Sequence, residues 1–286
     1  MPFVTPSVRR RILICGETGS GKSHALRTAP VPKVILVYPG EHGHDTLVKP
    51  DGSPLDPETQ VLVWQHDEKR SSTQVIEDVR KETIRVLQQP GLQSFCGDGY
   101  HKRHEYVMDA LSGGEYFKGS PWKTESQQDS QVVDPKIASQ AEHWMSAYLT
   151  MVCQSKVPYV FVTLWDKDTG VRRAKLGADG KKEKWTDIPQ HKMPALYSAA
   201  SRRILGQFGI CVYASARWKR QEVMDVAGKP SGKYERVREY RWQTVADDEV
   251  GACAIKGDAA VTAKVPKFIP ADWRELAKYM EGADGR

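Results

Sequence analysis

The chain has 286 residues, 40% of them hydrophobic, and a formal net charge of +6, which is typical of a soluble protein with one large core. Five cysteines without a CxxC pair argue against a disulfide or zinc framework and favour a reducing, cytoplasmic compartment. No apolar run is long enough to cross a membrane, and the mild positive charge permits an anionic partner without requiring one.

The first predicted strand leads directly into a phosphate-binding sequence. Residues 11–15 are strand-like, and they are followed by Gly16, Glu17, Thr18, Gly19, Ser20, Gly21, Lys22 and Ser23. Glycines let backbone N–H groups wrap an anion, and the start of the next helix adds a favourable field. Lys22 is expected to reach the β- and γ-phosphates, and the Ser23 hydroxyl to ligate Mg²⁺. The motif predicts binding of a nucleoside triphosphate, taken as ATP, with Mg²⁺.

The next elements predict two further strands and a crossover helix. The strands are expected at residues 33–38 and 61–64, and residues 72–88 have apolar side chains at helical spacing. Glu41 follows the second strand, at the edge where open α/β sheets bind ligands. It is the candidate base that positions the attacking water, and a solvated loop acid is the alternative.

Two aspartates are candidates for the carboxylate that holds Mg²⁺, because each follows an apolar run. Asp109 follows residues 106–108, which predict a strand, and Asp166 follows residues 159–165, the most apolar strand prediction of the chain. A carboxylate in this position holds the metal during phosphoryl transfer. Spacing alone does not choose between them. The chosen carboxylate is expected to hold the metal through water, and both aspartates remain candidates at this point.

Two long polar segments interrupt the predicted elements, and a long segment of this kind usually means function or disorder. Residues 112–139 contain little positive charge, whereas residues 166–193 contain eight basic residues and a turn sequence that predicts a protruding hairpin. The residues expected to bind phosphates and stack on bases of a single strand are Arg172, Arg173, Lys175, Lys181, Lys182, Lys184 and Trp185. A solvated surface hairpin is the alternative. Backbone charge and stacking do not distinguish DNA from RNA.

The rest of the chain completes an alternating pattern. A helix is predicted at about residues 140–154, a strand at 210–213, a hairpin at 217–242, and a last helix from Asp272 to Gly282. Strands alternating with helices predict an α/β fold, with a doubly wound, mostly parallel sheet, a C-terminal hairpin and a C-terminal helix. Neither an internal repeat nor a linker is evident, so residues 1–286 are expected to form one domain.

The order of these parts resembles the RecA-type recombinase core, and more closely the short phage-type RecA-like ATPases that act as single-strand annealing proteins. The resemblance covers about residues 9–270 and is specific in patches: the phosphate loop, Pro30-x-Pro32, Glu41, and Asp-x-x-Ser at Asp109. It implies that Glu41 is the catalytic glutamate and that Asp109, rather than Asp166, holds Mg²⁺. It also implies that the two polar segments are DNA-binding loops.

The resemblance further implies a homo-oligomer, a ring or a filament, with active sites between subunits. Residues 254–268 look like the stretch that places a basic residue against a neighbour's γ-phosphate, and Lys256 is the candidate for this role. After the sensing strand the chain departs from the family pattern and reads Thr163-Leu164-Trp165-Asp166, which leaves the γ-phosphate sensor unassigned.

The resulting expectation is an ATP-dependent, single-stranded DNA-binding ATPase that acts in strand annealing or homologous recombination. Two alternatives stay open. The first is a translocating DNA motor, either a helicase or a packaging ATPase, built on the same core. The second is a nucleotide-gated structural or adaptor protein in which Glu41 is idle.

Overall fold

The computed structural model describes residues 9–39, 41, 43–64, 69–114, 135–169, 172–176, 182–187, 191–194, 204–224, 230–247, 250, 253–255 and 263–281. The strands are β1 Arg10–Gly16, β2 Lys33–Val37, β3 Thr59–Val63, β4 Ser94–Asp98, β5 Tyr159–Thr169, β6 Arg172–Leu176, β7 Lys182–Asp187, β8 His191–Pro194, β9 Ile210–Met224, β10 Pro230–Gln243, β11 Ala254–Ile255 and β12 Phe268–Pro270. The α-helices are α1 Lys22–Leu26, α2 Ser72–Leu87, α3 Tyr100–Leu111, α4 Pro135–Gln154 and α5 Trp273–Glu281. A 3₁₀ turn spans Gly43–Thr46.

A ten-stranded mixed sheet organises the described residues, in the order β12-β10-β9-β1-β5-β4-β2-β3 with β11 beside β9 and β8 beside β5. Every pairing from β9 to β3 along this order is parallel. The pairings of β10 with β9 and with β12 are antiparallel. The predicted α/β class, a doubly wound and mostly parallel sheet with a C-terminal hairpin and helix, is confirmed.

Two hydrophobic cores cover the two faces of the sheet. In β1, Leu13 and Cys15 belong to one core, whereas Ile12 and Ile14 belong to the other, as expected from side chains that alternate along a strand. The first core includes residues of α2, α3 and α4, and the second includes residues of α1 and α5. A strand buried on both faces reads as a continuous apolar run, which explains why β1, β2 and the first half of β5 were predictable.

The predicted crossover helix at residues 72–88 is confirmed as α2. Ser71 caps it: the Ser71 hydroxyl accepts from the Gln74 N–H, and the Gln74 side chain accepts from the Ser71 N–H. This reciprocal capping box satisfies two backbone donors at the start of the helix.

The strand predicted at residues 106–108 is wrong, because these residues lie inside α3. Tyr100, His104, Val107 and Met108 are all buried, at the three- and four-residue spacing of a helix face. The apolar triplet was therefore one turn of an amphipathic helix rather than a short strand, and Asp109 follows it within the same helix.

The two polar segments are described only in part. Within the first, residues 115–134 lie outside the described residues, and Pro135 begins α4. Within the second, β6 and β7 pair in antiparallel fashion, as the hairpin prediction requires, although residues 177–181 between them lie outside the described residues. No helix in the described part of the chain is long and apolar enough to cross a membrane.

Candidate functional site

The predicted phosphate loop lies between β1 and α1, at the carboxyl end of β1. The Ser20 N–H donates to the Glu17 carbonyl at 3.2 Å, which closes a turn within the loop. Gly21 has a φ of 87°, in the left-handed region that favours glycine. A Cβ at Gly21 would also lie 2.6 Å from Cγ of Tyr240 in β10. The loop therefore packs directly against the C-terminal hairpin.

Lys22 is buried in the centre of this loop. Its side chain is 8% exposed, and its ammonium group donates to the carbonyls of Gly16 and Glu17 at 2.7 Å each. Burial lowers the pKa of Lys22, and the nearby carboxylates of Asp98, Glu41 and Asp166 act against that shift. The structure thus places the predicted phosphate-binding lysine among three acidic side chains.

Ser23, Gly43 and Asp98 meet beside the loop. A Cβ added to Gly43 would collide with the Ser23 hydroxyl and lie 3.0 Å from Oδ2 of Asp98. Both oxygens therefore lie within 3.0 Å of one point in space. A hydroxyl and a carboxylate are oxygen ligands of the kind that Mg²⁺ prefers, and Mg²⁺ is usually completed by substrate phosphates and water.

Thr163 of β5 orients the Asp98 carboxylate at the end of the neighbouring strand β4. The Thr163 hydroxyl donates to Oδ1 of Asp98 at 2.6 Å and accepts from the Gly99 N–H at 2.8 Å. All three groups are buried, so the carboxylate is held in one orientation at the carboxyl edge of the sheet. Neither Asp98 nor Thr163 is a sequence-predicted site residue. A strand following the crossover helix and ending in Gly97-Asp98 was the available signal.

The placement of Asp109 at the end of a strand is wrong. Asp109 lies in α3, and its carboxylate accepts a hydrogen bond of 2.5 Å from the Ser72 hydroxyl at the start of α2. This hydrogen bond joins α2 to α3. The other candidate, Asp166, lies within β5, accepts from the Tyr213 hydroxyl at 2.8 Å, and pairs with Lys192 at 3.4 Å. Asp98 occupies the strand end that the prediction assigned to Asp109.

Glu41 lies beside Asp98, as a water-positioning residue requires. Its N–H donates to the Tyr38 carbonyl at 3.1 Å, just beyond β2. A Cβ at Gly99 would lie 2.8 Å from Cγ and 2.9 Å from Oε2 of Glu41, so the glutamate side chain packs on the backbone that follows Asp98. The side chain is 15% exposed. The structure therefore brings Glu41 and the phosphate loop to the same edge of the sheet.

His101 is a buried neighbour of Glu41 that the sequence analysis missed. Its Nε2 lies 3.5 Å from Oε2 of Glu41, and its ring stacks on Trp165 with centroids 4.1 Å apart. Burial, together with the positive charges of Lys102 and Lys22, lowers the pKa of His101 to about 2. The imidazole is therefore neutral at physiological pH, and within the described residues neither ring nitrogen has a hydrogen-bond partner.

The neutral state of His101 predicts a pH-dependent stability. The unfolded histidine has a pKa near 6.5, so below that pH the unfolded state binds more protons than the native state, and the native state loses stability as pH falls. The loss is about 1.4 kcal/mol per pH unit, or roughly 2 kcal/mol between pH 6.5 and 5. His101→Phe keeps an aromatic ring that can stack on Trp165. We expect this variant to lack the loss of unfolding free energy between pH 6.5 and 5, as measured by urea unfolding at both pH values.

The matched control is the exposed His143→Gln in α4, which should keep the wild-type pH dependence. Parallel pH profiles for wild type and His101→Phe would show that His101 is not buried in its neutral form.

The predicted nucleic-acid residues lie on the β6–β7 hairpin where they are described. Its register pairs Lys175 with Lys184, and Ala174 with Trp185. Strand β6 contains Arg172 and Arg173, and β7 also contains Lys182. Lys181 and the proposed trans-acting Lys256 lie outside the described residues.

The loop residues fit a triphosphate with Mg²⁺. The buried Ser20 hydroxyl has no hydrogen-bond partner within the described residues, so it can donate to a phosphate oxygen. The described part of the chain contains no group of three or more His, Cys, Asp or Glu side chains that could hold a metal ion by itself. Ser23 and Asp98 would hold Mg²⁺ together with phosphate oxygens, which is the usual arrangement for this metal.

Comparisons with known proteins give structural likeness alone. No family model and no curated protein matches the chain. The assembled ATPase EscN of the enteropathogenic E. coli type III secretion system is 13% identical, with a TM-score of 0.32, over 55% of this chain and 36% of EscN. EscN in complex with its central stalk EscO is 14% identical, with a TM-score of 0.35, over 68% of this chain and 50% of that EscN chain. The chain thus spans at most half of the EscN length, and TM-scores this low carry no inference about its substrate or partners.

Proposed function

We propose that the chain is a Mg²⁺-dependent nucleoside triphosphatase with ATP as its nucleotide. The observation that carries this proposal is the convergence of Ser23, Asp98 and Glu41 around the buried Lys22. Asp98 and Glu41 come from the carboxyl ends of β4 and β2, and Lys22 and Ser23 from the phosphate loop that follows β1; together they supply a cation, a metal-binding pair and a base. This is the set of groups that phosphoryl transfer to water requires.

Each residue has a separate role in the proposed reaction. Lys22 binds the β- and γ-phosphates and neutralises charge that develops on them. Ser23 and Asp98 would hold Mg²⁺, which would supply positive charge that stabilises the phosphates, and Thr163 keeps the Asp98 carboxylate oriented. Glu41 orients the attacking water and accepts its proton.

We further propose that ATP binding controls affinity for a single strand, as the resemblance to phage-type annealing ATPases implies. Strand β5 supports this coupling because it connects the two sites. Its Thr163 contacts Asp98, and its Trp165 stacks on His101, which lies beside Glu41. The basic segment 166–193 begins with the residue after Trp165. A nucleotide that favours one conformation of this strand would shift the balance between conformations of the attached basic segment. The activity proposed is strand annealing or recombination, carried out in the cytoplasm by one domain spanning residues 1–286.

Assembly into a homo-oligomer is the remaining part of the proposal. The resemblance assigns to Lys256 of an adjacent subunit the role of the basic residue that contacts the γ-phosphate. A neighbouring subunit would then complete the active site and link hydrolysis to assembly.

The coupling is tested by measuring affinity for a fluorescent oligothymidylate with and without a non-hydrolysable ATP analogue. We expect the analogue to tighten binding about 5- to 150-fold, the usual range of coupling between sites. The double variant Lys182→Glu with Lys184→Glu should weaken strand binding. The control double variant Lys49→Glu with Lys81→Glu, elsewhere on the chain, should weaken strand binding much less. Equal affinity with and without the analogue would refute nucleotide control of strand binding.

A further inference from the structure

The β9–β10 hairpin has two faces of different composition. Its antiparallel register pairs Trp218 with Arg238, Arg220 with Arg236, and Glu222 with Tyr234. Directly paired residues share a face of a sheet, and side chains alternate between faces along each strand. We call the face that carries the following five residues the aromatic face: Trp218, Arg220, Tyr234, Arg236 and Arg238. Glu222, at the far end of this face, accepts from the Gly232 N–H at 3.1 Å.

On the opposite face, the two basic residues beside Glu239 both contact its carboxylate. Arg217 forms an ion pair with Glu239, and Lys219 lies 3.4 Å from the same carboxylate. On the aromatic face, in contrast, no ion pair joins Arg220, Arg236 or Arg238 to a carboxylate within the described part of the chain. The aromatic face therefore presents guanidinium groups that are available to an external anion.

The aromatic side chains of this face are exposed beside the guanidinium groups. Trp218 is 67% exposed and Tyr234 is 52% exposed. The Arg220 guanidinium lies 4.1 Å from the centre of the Tyr234 ring. A groove of about 720 Å³ is lined by four residues of this face and by three of their strand neighbours: Trp218, Arg220, Tyr234 and Arg236, with Lys219, Gly232 and Glu235. Large exposed aromatic groups usually mark an interaction site, and ring faces alternating with guanidinium groups suit stacked bases joined by phosphates.

The aromatic face continues to the phosphate loop. An Arg238 guanidinium nitrogen lies 3.1 Å from the position that a Cβ on Gly19 would take, and Tyr240, two residues further along β10, packs on Gly21. Both residues point to the same side of β10. One uninterrupted strand face thus runs from the nucleotide site to the groove.

We propose that the aromatic face binds a single-stranded nucleic acid, with bases stacked on Trp218 and Tyr234 and phosphates held by Arg220 and Arg236. This inference rests on the proposed function and adds a second strand-binding surface, distinct from segment 166–193. The guanidinium groups complement phosphates, and the exposed rings suit stacked bases, which favours this occupant. A protein partner is less favoured, because the cores of protein–protein interfaces are depleted in charged residues.

The test measures the affinity of a fluorescent 30-nucleotide oligothymidylate by anisotropy over a range of salt concentrations. Trp218→Ala with Tyr234→Ala should weaken binding by about 25-fold or more, from the loss of two stacked bases. Arg220→Ala with Arg236→Ala should reduce the slope of log affinity against log salt by about 1.4, which corresponds to two phosphate contacts. Arg217→Ala with Lys219→Ala removes the same charge from the opposite face and should change affinity by less than about 2-fold.

Photo-cross-linking of the wild-type protein to a 5-iodouracil oligonucleotide does not depend on any variant folding, and should label peptides that contain Trp218 or Tyr234. This inference would be overturned, but not the proposed function, if both aromatic-face double variants bound the oligonucleotide with wild-type affinity and the cross-links were confined to residues 172–187. Failure of the wild-type chain to bind a single strand at all would overturn both. A changed oligomeric state at unchanged strand affinity would identify an interface between copies and overturn the inference.

Discussion

Glu41→Gln is expected to lower the turnover number for ATP by about 10²- to 10⁴-fold, the usual contribution of a positioned general base. The substitution keeps the shape of the side chain that packs on Gly99, but it removes the carboxylate that would accept the proton of the attacking water. Nucleotide affinity should stay close to that of wild type, because Glu41 is not assigned a phosphate contact. Steady-state phosphate release and equilibrium binding of a fluorescent ATP analogue measure the two quantities separately.

The matched control is Glu58→Gln, which removes an exposed carboxylate just before β3 and should leave turnover unchanged. Comparable turnover in Glu41→Gln and wild type would contradict a base role for Glu41. Negligible turnover in both, with nucleotide still bound, would favour the adaptor alternative. A translocating motor would instead show strand-stimulated turnover together with unwinding or packaging.

Asp98→Asn is expected to lower Mg²⁺-dependent turnover by about 100-fold or more, because the amide removes the negative charge that holds the metal against the phosphates. Asp109→Asn removes the same charge from α3, where the carboxylate accepts from Ser72. An asparagine oxygen can still accept that hydrogen bond, so this variant should cost about 1 kcal/mol of stability and leave turnover nearly unchanged. Turnover at saturating ATP and urea unfolding distinguish the two effects.

The phosphate loop and Glu41 were predictable because their signals are local. Glycine spacing identifies a loop that must adopt left-handed backbone, as at Gly21, and continuous apolar runs identify strands buried on both faces. Glu41 could be placed because it follows such a run within four residues. The crossover helix α2 carried both a helical pattern and a capping box at Ser71.

Asp98 was missed because its strand gives little local signal. Strand β4 has five residues and includes a serine, a glycine and the aspartate itself, yet it lies in the middle of the sheet. Its place is set by pairing with β2 and β5, which is tertiary information. The more apolar triplet before Asp109 looked like a strand, although it is one turn of α3.

The neighbours of the site were missed for the same reason. Thr163 and His101 gain their roles only because β5 and α3 bring them against Asp98 and Glu41. The aromatic face of the hairpin likewise depends on the register that places Trp218 opposite Arg238, which the sequence of neither strand reveals alone.

Phosphate release by wild type, Asp98→Asn and Asp109→Asn across a Mg²⁺ titration tests the central assignment most directly. We expect Mg²⁺-dependent hydrolysis of ATP by wild type and Asp109→Asn, and its loss in Asp98→Asn at every Mg²⁺ concentration. Hydrolysis that survives in Asp98→Asn but disappears in Asp109→Asn, or an absence of Mg²⁺-dependent phosphate release from wild type with and without a single strand, would contradict it.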